Sequence, residues 1–527
     1  MKEKSNIPAA DFPEQAGISS YEIIPFLNDF AANKAEIHSF MVIRNGKVAF
    51  ETHKAPYGRY TRQAMFSVSR AFVAVAAGFA VQEGLISLDS KVADFFPEYR
   101  PSKRDKYLER LKIRHLLSMT SGKNTAPLSS VSAQDREKAF FKEKWSGEPG
   151  KTPGYTAENI CIVCDILRKA TGMTLTEYLT PRLYEPLEFD EVPLWEKDST
   201  GIEGGYWGLY LTPEELARFS LCLMGGGVYK GRRVIPEDYV KEMLSVQASG
   251  VPFPNRDEAT DYGFFIRGGN LKNSFMIDGA LSQFAVIAGD YDAALILTGS
   301  HTNISETRSI IFRHFHRMLV NPKESAPGDV TLPALEPFAA ISSPRCETEK
   351  QIKGKVIKFR SNVVLGAVGI PFSMLPITGI FPLRKKGGNI NNVVFDFDKD
   401  GCIFTWDENR DHNMLRCPMD GTPGRGVMEI SGFTYNVNCA AAWKNENTLE
   451  IQIRPLECVD ERRVSFEFGP KNTVTLKAEE TGIPEEIYRQ IDSVAREFYY
   501  SDGRRTFNSL LSNFSFILDS PLKGKIN

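Results

Sequence analysis

An excess of charge of either sign is what this chain lacks most plainly. Its 527 residues carry 64 basic and 66 acidic side chains, a net charge of −2 at pH 7. So even a balance leaves no basic footprint for nucleic acid and none for an anionic membrane surface. Long apolar runs are missing too, none approaching the roughly 20 residues needed to cross a bilayer. The stretch from Met1 to Pro8 is polar and leads into further polar sequence, so no signal peptide is read there and a cytoplasmic location is expected. Cysteine is sparse. Cys161, Cys164, Cys222, Cys346, Cys402, Cys417, Cys439 and Cys458 are too few in this length to form a disulfide framework. The Cys161-x-x-Cys164 spacing falls inside the helical apolar pattern Ile160, Val163, Ile166, Leu167, with no second Cys/His pair at zinc-ligand spacing. It reads as two buried thiols. Neither internal repeats nor low-complexity tracts are present, and neither a metal nor a cofactor is expected.

What is there is ordinary in bulk: 42% apolar and 25% charged residues, as in a soluble globular protein. The length calls for two or three domains. Tyr21–Asn33 carries a helical apolar face of Ile23, Ile24, Leu27 and Phe30, with Pro25 placed in the first turn. Phe40–Phe50 folds about Asn45-Gly46, the strongest short-range hairpin signal. An apolar helix follows Ser67 and ends at Gly84. A long helical block then runs from about 105 to 245, with capping boxes at Thr174/Glu177 and Thr212/Glu215. Ser274–Ile277, Gln283–Ala288 and Ala293–Thr298 read as strands, and Glu306–Val320 as a helix. Sheet pieces from both ends of this region must meet around the inserted helices. The expectation is an α/β sheet domain plus a helical subdomain, closing a cleft between them.

The expected boundaries are a first domain over 1–320, a linker over 321–351 rich in Pro, Ser, Glu and Ala, and a β-rich barrel or sandwich over 352–527. Short alternating segments such as Val393–Phe397, Cys402–Trp406, Leu449–Arg454 and Val464–Phe468 carry the last of these. One helix is expected within it, starting at Pro484 and carrying Ile487, Ile491, Val494 and Phe498.

Three short stretches bear chemistry. Ser67, in Met65-Phe66-Ser67-Val68-Ser69-Arg70, stands at the mouth of an apolar helix, where its amide and the helix dipole suit an oxyanion. A plain N-cap serine is the other reading. Tyr155 closes the turn-rich loop Pro149–Tyr155, either reaching into a cleft or anchoring the loop. Asp278-Gly279-Ala280 ends a strand. Gly279 would let a substrate backbone approach the edge and the Ala280 amide would be a second oxyanion donor, unless the trio is only a tight turn.

Together these stretches resemble the serine β-lactamase-like family, which includes class C β-lactamases, penicillin-binding DD-peptidases, carboxylesterases and 6-aminohexanoate-dimer hydrolases. The likeness covers roughly residues 15–320. Ser67-Val-Ser-Arg70 is similar to the family's S-x-S-K, and Gly84-Leu-Ile-Ser-Leu-Asp89, with Val92 and Pro97, to its G-L-I-S-L-D segment. Ile113–Gly122 is similar to I-R-H-L-L-x-x-T-S-G, Tyr155-Thr-Ala157 to Y-x-N, and Glu185-Pro186-Leu187 to E-P-L. Asp278-Gly279-Ala280 with Gln283 looks like the branch in which K-T-G has become x-D-G-A. The resemblance implies the β-lactamase/transpeptidase-like fold, α+β, an antiparallel sheet flanked by helices with an inserted helical subdomain at about 100–250. It implies Ser67 as nucleophile, Arg70 in the base-lysine position and Tyr155 as second proton carrier. The amides of Ser67 and Ala280 would form the oxyanion hole, with Asp278 and Gly279 along the substrate. Tyr206-Trp207-Gly208-Leu209 is similar to a cleft-lining loop in relatives, so Trp207 would either touch substrate or pack in the core. His115 lies in a segment that is structural in relatives. His314 and His316 lie on different faces of one helix, and no metal site is expected there.

The pattern is broken at three places. Arg70 replaces lysine, Ala157 replaces an amide or hydroxyl residue, and Ile277 stands where a lysine would bind a substrate carboxylate. The last argues against penicillin or D-Ala-D-Ala substrates. Arginine stays charged at any working pH and cannot take the Ser67 proton. A cation beside Tyr155 would instead favour its phenolate, leaving Tyr155 as sole base. Two readings follow. One is a serine hydrolase, slow for want of the lysine, acting on a small ester or amide. The other is a non-catalytic relative that binds a ligand or partner in the old cleft. If the missing base limits the rate, Arg70→Lys should raise it. Sequence leaves the oligomeric state and the role of the C-terminal region unassigned.

Overall fold

The computed structural model describes residues 6–99, 105–123, 136–197, 201–252, 259–320, 333–360, 390–408, 410–430, 432–458, 461–480 and 521–527. The chain divides into two compact units, residues 1–336 and 337–527.

In the first unit, α1 (Ser20–Ala32) precedes a hairpin of β1 (Ile37–Arg44) and β2 (Lys47–His53). Asn45 and Gly46 both take positive φ, +52° and +71°, as a two-residue turn of the favoured hand requires. Pro25 sits in the second turn of α1 rather than the first, because the helix starts at Ser20. Pro25 brings no N–H to the helix ladder there, and Tyr21, one turn before it, is exposed.

Helices α2 (Ser69–Gln82), α3 (Ile113–Leu117), α4 (Arg136–Lys142), α5 (Ala157–Thr171), α6 (Leu175–Leu179), α7 (Pro213–Met224) and α8 (Glu237–Leu244) make the inserted block. It also contains short strands, among them β3 (Leu209–Leu211), which pairs with Gln63–Ala64. Both expected capping boxes are formed. The chain then returns through β4 (Ala248–Pro252), β5 (Ala259–Tyr262), β6 (Arg267–Gly268), β7 (Ser274–Gly279), β8 (Gln283–Ala288) and β9 (Ala293–Gly299) to α9 (Ile304–Leu319).

The sheet is antiparallel, in the order β2-β1-β9-β8-β7-β6-β5-β4. The early hairpin therefore joins the late strands at β1–β9, with the helical block inserted between. On one face, Ile23, Phe26 and Phe30 of α1 and Ile310, Phe315 and Met318 of α9 pack on Met276, Phe284, Val286 and Leu295. Each such side chain contributes roughly 1.5–3 kcal/mol by leaving water. On the other face α7 lies against β8 and β9, and α2 is buried along nearly its whole length. A helix apolar all round must sit inside, and that centrality makes its N-terminus a rigid place for Ser67.

The second unit contains α10 (Thr348–Ile352) and, among the described residues, ten strands. They are β10 (Val356–Phe359), β11 (Ile390–Asp398), β12 (Gly401–Glu408), β13 (Asp411–Cys417), β14 (Gly424–Ile430), β15 (Phe433–Asn445), β16 (Thr448–Pro455), β17 (Arg462–Phe468), β18 (Thr473–Glu480) and β19 (Leu522–Ile526). They form one sheet, β13-β12-β11-β10-β19-β18-β17-β16-β15-β14, whose two edges meet. The buried Asn413 amide donates to Glu429 O (3.0 Å), and Glu429 N–H donates back to Asn413 Oδ1 (2.7 Å). The result is a near-barrel. Its interior is filled by Phe395, Phe404, Trp406 and Phe466, with Phe404 stacked on Trp406 at 4.5 Å, so it is a core and not a channel. The helix expected from Pro484 lies outside the described residues. No helix among the described residues is long and apolar enough to cross a membrane.

Candidate active site

A turn, rather than the helix proper, places Ser67. Phe66–Val68 form one 3-10 turn and α2 begins at Ser69, so Ser67 lies two residues ahead of the helix mouth expected for it. Phe66 takes φ +47°, a left-handed conformation that bulky residues avoid. Such strain costs on the order of 1–3 kcal/mol and persists only where the surroundings over-determine it. Here they do. Met65 N–H donates to Leu209 O (2.8 Å) and Leu209 N–H donates to Ser69 Oγ (3.1 Å), so β3 grips the chain on both sides of Ser67. Ser69 is fully buried while Ser67 is half-buried, so Ser67 is the more accessible of the two serines.

Arg70 lies one turn on and is fully buried. Its Nη1 donates to Ser67 O (2.7 Å) and to Asp278 O (2.6 Å), and its Nη2 to Asp278 Oδ1. Its Nε donates to the Tyr262 hydroxyl (3.1 Å) and to Phe265 O (3.1 Å). The guanidinium thus ties the Ser67 turn to the end of β7 and to the chain after β5. Burial opposes its charge, but Tyr262, Tyr155 and Asp278 outweigh that and hold Arg70 above even the usual arginine range. It has no role open to it as a base, and its donors are committed to structure.

Asp278 answers that charge. Burial works against its carboxylate, yet Arg70 and then Arg267 hold it below the usual range. Arg267 Nε lies 3.3 Å from the same Oδ1. Asp278, expected along the substrate, therefore faces two guanidiniums. Gly279, expected there too, ends the same strand. What approaches it is the chain itself, since a Cβ there would collide with the Met65 carbonyl and lie 3.3 Å from Val68 Cγ2. A missing side chain brings the strand end against the residues flanking Ser67. The next residue, Ala280, is half-exposed and opens the turn to β8, where Leu281 and Ser282 take φ +59° and +70°. Among the described residues no acceptor meets the Ala280 amide.

Tyr155 arrives from the other wall. Gly150 N–H donates to Thr120 O (2.7 Å) and Gly154 N–H to Met119 O (2.8 Å), docking its loop on the chain after α3. Gly150, at φ +82°, packs on the His115 ring, where a Cβ would lie 3.0 Å from Nε2. Burial, and after it the Lys112 and Arg114 charges, push His115 down to about 4. Neutral at pH 7, it accepts the Lys112 N–H at 3.3 Å and is structural, as expected. Thr156 caps α5, and Tyr155, half-buried, precedes it. The Arg70 and Arg267 guanidinium carbons lie 5.5 and 5.0 Å from the Tyr155 ring centroid. No hydrogen bond joins Ser67 Oγ to Tyr155 Oη.

The other expectations divide. Trp207 is 5% exposed, packed over Gly204 and edge-on to Tyr206 at 6.0 Å, so only a sliver of indole could face a cleft. Ile277 is fully buried and offers no cation. His314 bonds Asp29 (2.8 Å) and His316 meets Tyr291 (3.1 Å), two separate structural contacts. Cys161 and Cys164 are buried free thiols. Among the described residues no group of three His, Cys, Asp or Glu could hold a metal. Sequence reasoning missed Arg267 and Tyr262. The signal was present in Phe264-Phe265-Ile266-Arg267, an arginine closing an apolar run, where a buried charge needs a partner.

The arrangement gathers a half-buried hydroxyl, a phenol flanked by two cations, and peptide N–H groups on either side of a close backbone contact. Residues 34–308, just over half of the chain, match the family model described as Beta-lactamase. The chain is similar to a 6-aminohexanoate-dimer hydrolase of Paenarthrobacter ureafaciens, 28% identical over 243 residues, 43% of this chain and 60% of that protein. It is also similar to a beta-lactamase of Yersinia enterocolitica, 24% identical over 180 residues, 34% of this chain and 44% of that protein. It thus spans 60% or less of the length of these two relatives. Among solved structures, a penicillin-binding protein homolog from Caulobacter crescentus superposes with a TM-score of 0.45 at 17% identity, over 57% of this chain and 98% of that one.

Proposed function

Since the chain belongs to the beta-lactamase family, we propose that it is a serine hydrolase that cleaves a small ester or amide through an acyl-enzyme on Ser67. The observation that carries this reading is the Arg70 clamp. One buried guanidinium holds the Ser67 carbonyl and both the carbonyl and carboxylate of Asp278, so the hydroxyl and the strand bearing Ala280 keep one geometry. Preorganised donors of that kind are the largest single contribution to acyl transfer in many hydrolases.

In this mechanism Ser67 Oγ attacks the substrate carbonyl as its proton passes to Tyr155. The negative oxygen that forms is met by the amides of Ser67 and Ala280. The tetrahedral centre collapses, the bond to the leaving group breaks, and Tyr155 returns the proton to that group. Water then repeats the sequence on the acyl-enzyme and releases the acid. Arg70 takes no proton in any step. The mechanism requires Ser67 and Tyr155, which share no hydrogen bond in the free protein, to come within reach on substrate binding, as catalytic groups often do between free and occupied sites. A family relative named for cleaving a dimer of 6-aminohexanoate supports a linear amide as one substrate class, and the absence of a cation at Ile277 favours substrates without a carboxylate beside the scissile bond.

A second reading, a binder without turnover, is favoured by one fact: the usual base position is filled by a residue that cannot accept a proton. Incubation of the full chain with p-nitrophenyl acetate and with a fluorophosphonate probe separates the two. Hydrolysis and labelling that vanish in Ser67→Ala support the enzyme. Absence of both in the parent supports the binder.

A further inference from the structure

Two residues in a row take the left-handed backbone conformation between β7 and β8. Gly279 pairs with Gln283 across the strand ends, so the turn consists of Ala280, Leu281 and Ser282. Leu281 stands at φ +59° and Ser282 at φ +70°. Neither is a glycine or an asparagine, the residues that adopt this conformation most readily. Such strain survives only where the surroundings hold it, and it gathers at functional sites. What holds it here is a buried ring of hydrogen bonds. Ser282 is fully buried, and its Oγ–H donates to His301 O (2.8 Å). A hydroxyl carries one hydrogen, so in the 2.8 Å contact between Ser282 Oγ and Thr307 Oγ1 it is Thr307 that donates. Thr307, fully buried as well, then accepts from His301 Nδ1 at 2.9 Å. The ring runs from the His301 imidazole through Thr307 and Ser282 to the His301 carbonyl. Gln283 adds a second hold, its Nε2 donating to Leu281 O (3.0 Å) and to Gly299 O (2.7 Å). The end of β9, the chain after it and α9 therefore all anchor this turn.

We propose that Ser282 is a positioning residue for the hydrolysis: its hydroxyl holds the backbone of the turn in the left-handed conformation that aims the Ala280 amide. This rests on the reading of that amide as an oxyanion donor given above. A donor of this kind works by pointing, before reaction begins, at the place where negative charge will form. If Ser282 relaxed to an ordinary φ, so short a turn could close on the Gly279–Gln283 pair only by rotating the peptide units within it. Leu281 and Ser282 are buried and Ala280 is half-exposed, so the change falls on Ala280. Ser282 touches no reacting atom in this account and acts only through the chain.

The test is hydrolysis of p-nitrophenyl acetate by the full chain, resolved into kcat and KM. A second readout is affinity for benzeneboronic acid, which forms a tetrahedral adduct on a serine hydroxyl. The parent is compared with Ser282→Ala, Ser282→Gly, Thr307→Val and Ser67→Ala, each checked by thermal unfolding. Ser282→Ala keeps the strained position without the hydroxyl. It should lower kcat roughly tenfold to a hundredfold, short of the about 10² to 10³ for outright removal of an oxyanion donor. KM should change little, and boronate affinity should fall by a factor similar to that in kcat. Ser282→Gly should recover most of both losses, because glycine takes a positive φ unaided. Should Ser282→Ala fail to fold, Thr307→Val, which removes the middle of the ring, carries the same expectation in weaker form, and a parental kcat there overturns the proposal. A glycine variant as slow as the alanine variant also overturns it, since the hydroxyl would then matter for something other than the backbone. So does a loss confined to KM, or a parental kcat in Ser282→Ala while Ser67→Ala is inactive. Hydrolysis that is absent from the parent, or that survives Ser67→Ala, overturns the reading of the site and this proposal with it.

Discussion

Arg70→Lys is the substitution that separates the chemistry of one residue from its architecture. Read from sequence, it restores a missing base. In the fold it breaks a clamp. Arg70 donates to five acceptors: Ser67 O, Asp278 O, Asp278 Oδ1, Tyr262 Oη and Phe265 O. An ammonium has three donors radiating from one atom and cannot span acceptors on three segments. At least two charge-assisted bonds are lost at about 1.5–3 kcal/mol each, so the cost is roughly 3–6 kcal/mol before relaxation. At about 2–4 °C per kcal/mol in a domain of this order of size, even the lower figure drops Tm by roughly 6–12 °C. Arg70→Met should cost more in the same position, because Asp278 keeps only Arg267 as counter-charge and a buried pair broken from one side loses about 3–5 kcal/mol. The assay is differential scanning calorimetry of parent and both variants, paired with p-nitrophenyl acetate turnover below the first transition. The expected result is a lower Tm and no gain in rate for lysine, since the Ser67 turn loses its hold on β7. A lysine variant that melts with the parent and turns over tenfold faster would falsify the clamp and show that the missing base alone limits this protein.

Four further outcomes are expected. Gly279→Ala should abolish fluorophosphonate labelling while leaving the melting of the C-terminal unit unchanged, because a Cβ there must push the Met65 carbonyl, and with it Ser67, off the strand end. Tyr155→Phe should lower esterase turnover by about 10² to 10⁴, the range of a general base, with little change in Tm, since the ring keeps its place between the arginines. His115 is held below its unfolded value, so the unfolded chain binds the extra proton between about pH 6.5 and 4 and stability falls as pH drops through that window. His115→Gln should flatten that part of a Tm-versus-pH curve, and a parallel curve would refute the assignment. Asn413→Ala should cost about 1–3 kcal/mol, the price of leaving Glu429 backbone groups unmet at the barrel seam, seen as a lower transition for the second unit alone.

Much of the fold was legible because its signals are local. The Asn45-Gly46 turn, the two capping boxes and the apolar stripes of α1 and α9 each act within a few residues, and each element formed where expected. The alternation in β11 and β12 likewise foretold a sheet with one face inward. The misreadings have one source. Ser67 was expected at the mouth of a helix but stands two residues before it, in a turn held by Leu209, and the strand end at Gly279 is set by Met65, chain far away in sequence. Arg267 escaped notice because its surroundings, Asp278, Tyr262 and Tyr155, meet only in the fold, from two strands and a loop. Trp207, read as either a substrate contact or core packing, packs over Gly204 and is largely buried.

Periodicity, capping and turn chemistry in the chain alone settle where helices and hairpins start and stop, since those preferences are worth up to a kcal/mol or so per position and need no distant partner. They also settle that Arg70 is never a base, because guanidinium chemistry is the same wherever it sits. What that cation does instead was decided only by tertiary structure. Whether a buried charge is a defect or a clamp depends on which acceptors lie within about 3 Å and which rings within about 6 Å, and those neighbours come from β5, β7, the turn before α2 and the loop before α5, segments brought together only by folding.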